Sequence, residues 1–427
     1  MTISRITLML LFLTSTARAQ LIDQYINAEA VGRIERTLAS DSMNGRKVFT
    51  PGIDKAGEFI DAEFRSAGLQ PFPGNTGFKQ QFVLANPRQL AVSGTVNKQP
   101  VAEKSVVAIT AQPLLRVSKQ SAYDTASIKP GASLFREANK YIRSGKNVLV
   151  WVDNSFAANF GRLDEFKQFM FVSDKSVVFL LGAEPTTEYD LTIRHEITTQ
   201  KLANIVAVLP GKSRKDEYVI FSAHYDHLGT GNAVQGDSIF NGANDDAAGT
   251  TAVITLAKYF KALGNNERTL VFAAFTAEEI GGLGSQYFSR QLEPAKVAAM
   301  FNIEMIGTES KWGKNSAYIT GFEKTNMGEL LQKNLEGSGF TFHPDPYTDQ
   351  QLFYRSDNAT LARLGVPAHT ISTSKMDSEK NYHTVDDEVE TLDLSNMAMI
   401  IRAIALSSRN IISGKDTPTR VDTQALR

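Results

Sequence analysis

The chain has 427 residues, 42% of them hydrophobic and 21% charged, enough to bury a large core in two or three domains or in one large domain with an insertion. Its formal net charge is −1, from 45 basic and 46 acidic residues with no long block of like charge, which argues against bulk attraction to nucleic acid or to an acidic membrane surface. There is no cysteine, so thiol nucleophiles, thiolate metal sites and disulfide frameworks are excluded.

Residues 1–19 read as a secretory signal peptide: Arg5 leads into the apolar run 6–13, too short to span a bilayer, and Ala17-Arg18-Ala19 supplies a small-x-small cleavage pattern. Cleavage there makes Gln20 the first mature residue and, by removing Arg5 and Arg18, takes the formal charge to −3. The expected mature protein is exported, periplasmic or secreted, with no membrane anchor. Helical spacing over 22–38, and again at Ala56, Phe59, Ile60, Phe64 and Leu69 with Gly68 as a stop, opens it with two helices, so that residues 20–81 begin the main domain. Residues 82–199 change texture to short β-rich runs, such as 105–109 and 148–152, separated by turns, and read as an inserted β-rich subdomain. Over 200–413 the pattern alternates. Segments 205–209, 218–223, 270–275, 300–306 and 366–371 read as buried strands, and 247–263 as a helix. Such alternation predicts an α/β fold with a mixed, mostly parallel sheet sandwiched by helices. Residues 414–427, polar and carrying Gly414 and Pro418, are expected to be disordered.

The chemistry-bearing residues fall at the carboxyl ends of those strands, where open α/β sheets bind ligands. Glu278 and Glu279 follow the apolar run 270–275, and an acidic pair does not normally follow so apolar a segment unless something cationic or protonated meets it. Run 218–223 ends in His224-Tyr225-Asp226-His227, and Tyr382-His383-Thr384 lies about a hundred residues past the glutamates. Carboxylates and imidazoles gathered at strand ends point to a divalent transition metal, with zinc the best fit. Amide hydrolysis by two metal ions needs an acidic residue to bridge them. The segment Asn241-Gly242-Ala243-Asn244-Asp245-Asp246-Ala247-Ala248-Gly249 offers one, although Asp245 and Asp246 could equally cap the helix that follows. His195-Glu196 lacks the second histidine of a zincin motif and Gly211-Lys212-Ser213 lacks the upstream glycine of a phosphate loop; they read as strand and turn.

Taken in order, His224-x-Asp226, Gly-Ala-Asn-Asp245-Asp246, Glu278-Glu279-x-Gly-x-x-Gly-Ser, Asn302-x-Glu304-Met-Ile-Gly and His383-Thr resemble the co-catalytic zinc aminopeptidases of peptidase family M28. The resemblance covers most of 204–393 and implies a zinc-exopeptidase-like fold, two Zn2+ ions (or other divalent metals) and peptide N-termini as substrate. It implies one metal on His383, Glu279 and Asp245, the other on His224, Glu304 and the same Asp245, with Asp246 a neighbour and not a ligand. Glu278 matches the general base that takes a proton from the attacking water, and Asp226 the residue that orients the His224 imidazole through its other nitrogen. Two positions depart from the family: Glu304 stands where aspartate is usual, and in Ser356-Asp357-Asn358 an asparagine replaces the usual histidine. The stretch 356–358 is placed near the substrate pocket. His227 is expected to hydrogen-bond beside the site without ligating. His195, His343 and His369 are expected to be surface or satisfied core residues, and Tyr382 either lines the pocket or packs. Alternatives of the same fold stay open: a single-zinc glutaminyl-cyclase-like acyltransferase, a carboxypeptidase or dipeptidase specificity, and an inactive peptide-binding module.

Overall fold

The computed structural model describes residues 20–426; the expected signal peptide lies outside them. Two compact units divide the chain, one made of the residues up to Gln81 together with those from Ala203 onward, the other of Phe82–Leu202.

In the first unit, residues 20–25 are helical and are followed by α1 (Ala28–Leu38), whose first turn is capped by the Asn27 side chain accepting from Ala30 N. α2 (Pro51–Ser66) starts with proline at its first turn, where no amide hydrogen is needed, and buries Ile53, Ala56, Ile60 and Phe64 at three- and four-residue spacing. The sheet has the order β6-β5-β7-β4-β2-β3-β1, with β1 (Tyr189–Leu209), β2 (Arg214–His224), β3 (Arg268–Phe275), β4 (Val297–Ile303), β5 (Ser316–Ile319), β6 (Thr341–Pro344) and β7 (Ala368–Ser372). β3, β2, β4 and β7 run parallel, as do β5 and β6; β7 meets β5, and β3 meets the last residues of β1, antiparallel. The expected mixed, mostly parallel sheet is therefore present.

Alternation along the strands feeds two cores. Val219, Phe221 and Ala223 of β2 and Leu270, Phe272 and Ala274 of β3 face a core shared with α1, α2, α3 (Ala248–Leu263) and α6 (Leu394–Ser407). Ile220, Val271, Ala273 and Phe275 face the other, with Phe288 of α4 (Leu283–Ser289) and Leu361 of α5 (Asn358–Ala362). Phe221 stacks between Phe260, Phe272 and Phe301, with ring centroids 5.4, 5.7 and 5.0 Å away. Truncating such a ring costs about 3–5 kcal/mol, so the centre of β2, which leads to His224, is firmly held. Residues 414–426, expected to be disordered, are instead packed. Arg420 donates to Val297 O and Pro294 O, Arg268 donates to Asp416 O and Thr417 Oγ1, and Val421 is buried. Their polar side chains satisfy main-chain carbonyls instead of water, which composition alone does not reveal.

The second unit contains the sheet Val106–Ile109, Val177–Leu181, Val148–Val152, Asp124–Ile128 in that order; the last three strands run parallel and only Val106–Ile109 is antiparallel. A parallel pair needs a crossover, and the helix Leu134–Ile142 supplies it between Asp124–Ile128 and Val148–Val152. This unit is thus α/β in part, beside its longer β ribbons.

Candidate metal centre

β2, β3 and β4 end side by side, with His224 opposite Phe275 and Ser222 opposite Asn302, so the segments that follow them converge. After β3 the chain turns through Ala277, Glu278 and Glu279 before α4. Gly284 is required there: a Cβ would lie 2.3 Å from both Asn204 Oδ1 and Thr276 O. Asn204 donates to Gly284 O (2.9 Å) and accepts from Thr276 N (3.2 Å), tying the loop at both ends. Asp226 ties its middle, its carboxylate accepting from the amides of Glu278 (3.1 Å) and Glu279 (3.3 Å). Asp226 also meets the other nitrogen of the His224 imidazole, Nδ1, through its main-chain oxygen at 3.1 Å, while its carboxylate, 3.8 Å from that nitrogen, is engaged with the glutamate amides.

Asp245 and Asp246, joined by a cis peptide, precede α3. Asp246 accepts from His224 N (3.2 Å), Gly249 N (2.9 Å) and Met305 N (3.1 Å), linking the end of β2, the start of α3 and the end of β4. Gly249 permits this approach, since a Cβ would fall 2.1 Å from Ile303 O. Asp245 is left facing the imidazoles. His224 Nε2 lies 3.3 Å from Asp245 Oδ1, and His383 Nε2 lies 3.2 Å from Asp245 Oδ2 and 3.3 Å from Glu279 Oε2. Ligand atoms of His224, Asp245 and Glu304 gather within 4.8 Å of one another, as do those of His227, Asp245 and Glu279. The other four ligand candidates read from the sequence, His224, Glu279, Glu304 and His383, therefore gather around Asp245. His227 comes closer than anticipated, with Nδ1 2.8 Å from Glu279 Oε1, so that two imidazoles address the Glu279 carboxylate. The Nε2 atoms of His224 and His227 are buried and find no hydrogen-bond partner among the described residues, and the mixed nitrogen and oxygen donor set fits a divalent cation.

Glu304 is held by a chain of buried hydrogen bonds. Ser356 Oγ donates to it, Asn302 Nδ2 donates to Ser356 Oγ (2.8 Å) and Thr370 Oγ1 (3.1 Å), and Thr370 Oγ1 donates to Asn358 Oδ1 (2.9 Å). Asn358 ends the chain by donating to Phe353 O (3.0 Å) and Ala368 O (3.3 Å). Ser356 lines the pocket, whereas Asn358 lies behind it. The pocket, of about 550 Å³, is walled by Glu278, Glu279 and Glu304, by Met305, Leu352 and Met376, and by Tyr382, whose ring stacks on His383 at 3.9 Å.

Two residues were missed by sequence reasoning. Arg46, fully buried, donates through Nε to Tyr225 O (2.9 Å), through Nη1 to Leu38 O (2.8 Å) and Asn241 O, and through Nη2 to Gly242 O (2.8 Å). It thereby grips the segment between His224 and Asp226 and the segment leading to Asp245. Asp387, four residues after His383, accepts from Asn244 N (2.8 Å) and Asp245 N (3.0 Å). A lone arginine in an irregular stretch and one aspartate in the acidic run 386–388 carry no periodicity or spacing signal. His369 is a satisfied core residue, bonded to Thr325 Oγ1 and Thr320 O, and His343 stacks on Trp312.

Burial dominates the electrostatics. It pushes Glu278 well above the ordinary carboxylate range, with His224 opposing and Glu304, Asp357 and Glu279 adding to the rise. It pushes Glu304 and Asp226 up to about 7. Burial opposes ionisation of Glu279 too, but the hydrogen bonds with His227 and His383 hold it down at about 2. His383 is pushed up to about 10 by its bonds to Asp245 and Glu279. Anionic Asp245 and Glu279 thus sit beside a carboxyl, Glu278, that takes up a proton readily.

A model of the family described as Peptidase family M28 matches residues 204–407. A probable leucine aminopeptidase of Trichophyton verrucosum (strain HKI 0517) is 31% identical over 204 residues, covering 45% of this chain and 53% of that protein. A leucine aminopeptidase 1 of Blastomyces gilchristii (strain SLH14081) is 30% identical over 211 residues, 45% of this chain and 52% of that one. The chain spans about half the length of the curated relatives it matches. The fold is shared with an aminopeptidase from Aneurinibacillus sp. strain AM-1 (TM-score 0.53, 17% identity, 95% of this chain and 98% of that) and with a zinc aminopeptidase from Bacillus subtilis (TM-score 0.54, 16% identity, 94% and 97%). The segment 204–407, which carries the five candidate ligands and Glu278, belongs to peptidase family M28.

Proposed function

We propose that the protein is an exported zinc-dependent aminopeptidase. The observation that carries this reading is the convergence of His224 with Glu304, and of His383 with Glu279, on one shared carboxylate, Asp245, beside the half-buried and otherwise uncommitted Glu278. His224, Asp245 and Glu304 would hold one zinc ion and Asp245, Glu279 and His383 the other, with His227 fixing Glu279. Zinc in such a site lowers the pKa of water and polarises the scissile carbonyl. Glu278 accepts the proton of the attacking water and returns it to the leaving amine, and its raised affinity for protons favours the first of these transfers. Asp226 fixes the aim of Glu278 and Glu279 by holding their amides. Tyr382, kept protonated by burial, stands in the pocket as a donor for the carbonyl oxygen. The carboxylates attract a free amino terminus and the Met305, Leu352 and Met376 wall accepts an apolar first side chain.

The test is metal content of the purified protein together with hydrolysis of a panel of aminoacyl p-nitroanilides before and after chelation. Two zinc ions per chain and chelator-sensitive release of free amino acids are expected. Intact metal without amide hydrolysis would reject the reading.

A further inference from the structure

Arg355 is the one arginine or lysine among the residues that line the pocket, and the four carboxylates of Asp245, Glu278, Glu279 and Glu304 line the same space. Its guanidinium nevertheless makes no hydrogen bond or ion pair with any described residue. It is exposed while lining the pocket, which puts it at the rim. Its backbone is fixed: the amide donates to Leu352 O at 3.0 Å, and the next residue, Ser356, donates to Glu304. An arginine that lines one pocket with four carboxylates and is bound to none of them is free to take an anion from outside. The pocket therefore carries negative charge in its depth and one positive charge at its mouth. An extended dipeptide places its amine and its carboxylate about 7 Å apart.

We propose that Arg355 is a specificity-determining residue that engages a substrate carboxylate on the leaving-group side of the scissile bond, so that short zwitterionic peptides are preferred. This rests on the aminopeptidase reading above. The carboxylate has two sources, the C-terminus of a dipeptide or an acidic side chain on its second residue. A planar guanidinium can pair with either in bidentate fashion.

The experiment uses the zinc-loaded full chain with Leu-Gly, Leu-Gly amide and Leu-Glu amide, and leucine p-nitroanilide as a substrate without a carboxylate. Leu-Gly, Leu-Glu amide or both should exceed Leu-Gly amide in kcat/KM by about threefold to tenfold, mainly through KM, as for a partly exposed charge pair. Arg355→Met should bring that ratio to about 1 and Arg355→Lys should keep part of it. In the unsubstituted enzyme 0.5 M salt should shrink it, a check that needs no variant to fold. Gain on Leu-Gly identifies the terminal carboxylate as the source, and gain on Leu-Glu amide the side chain. Equal rates on all three peptides, or a ratio that survives Arg355→Met, would overturn the proposal while leaving the aminopeptidase reading intact. Failure of the unsubstituted enzyme on leucine p-nitroanilide and on every peptide would instead remove that reading.

Discussion

Arg46→Met tests whether the metal loops are held from behind. The guanidinium makes four hydrogen bonds to carbonyls of Leu38, Tyr225, Asn241 and Gly242. Charged hydrogen bonds contribute about 1.5–3 kcal/mol each. Methionine also removes the cost of burying the charge, about several kcal/mol, so the net loss falls near the 3–5 kcal/mol seen when one partner of a buried ionic network is removed. For a unit of about 300 residues, an unfolding entropy of about 2.1 cal/mol/K per residue converts this to a fall in Tm of about 5–8 °C. The loops carrying His224 and Asp245 should loosen together, and zinc affinity measured by chelator competition should fall about 10–100-fold, as when groups supporting the ligands are lost. Thermal unfolding and chelator competition at one pH measure both. An Arg46→Met protein that melts like the parent and holds zinc equally well would refute the reasoning.

Glu278→Ala should retain zinc yet lose activity about a hundredfold or more, and near-normal turnover would reject Glu278 as the base. Ser356→Ala removes the hydroxyl that meets Glu304, so limited dialysis should leave about one zinc per chain where the parent keeps two; equal retention by mass spectrometry would contradict this. Glu35 is buried, accepts from Thr251 Oγ1 and is pushed up to about 8 from 4.5, chiefly by burial. The folded state therefore keeps a proton that the unfolded state has released between those values, and stability should fall as pH rises across that window. Glu35→Gln should flatten this slope in urea titrations at pH 5, 7 and 8, and an unaltered slope would exclude Glu35 as its source.

His224, Asp245, Glu278, Glu279 and Glu304 were legible because each lies at or just past a strand end or just before a helix, where a polar residue stands out against apolar neighbours; His383, in the irregular segment after β7, was legible through its His-Thr motif. The sheet was legible for the same reason: strands such as 218–223 and 270–275 are continuous apolar runs. What could not be read was the scaffold behind the site. Arg46, Asn204 and Asp387 act through main-chain amides and carbonyls, which have the same chemistry at every position, so nothing in the string marks which residue they will meet. For the same reason the sequence does not show that Asp226 meets the His224 imidazole through its main-chain oxygen while two backbone amides hold its carboxylate. The tail at 414–426 was misread because polar composition does not distinguish hydrogen bonds to water from hydrogen bonds to Val297 and Pro294.

On the ligation proposed above, the hydrogen-bond chain from Asn358 through Thr370, Asn302 and Ser356 to Glu304 extends control of metal preference to Asn302 and Asn358, which do not line the pocket. A library selected for growth on cobalt or manganese in place of zinc should enrich changes at Asn302 and Asn358 as well as in the pocket wall. Such hits would pass for core mutations by location. Their effect would be to re-aim one carboxylate oxygen of Glu304, so that this row would serve as an adjustable mount for a metal held there.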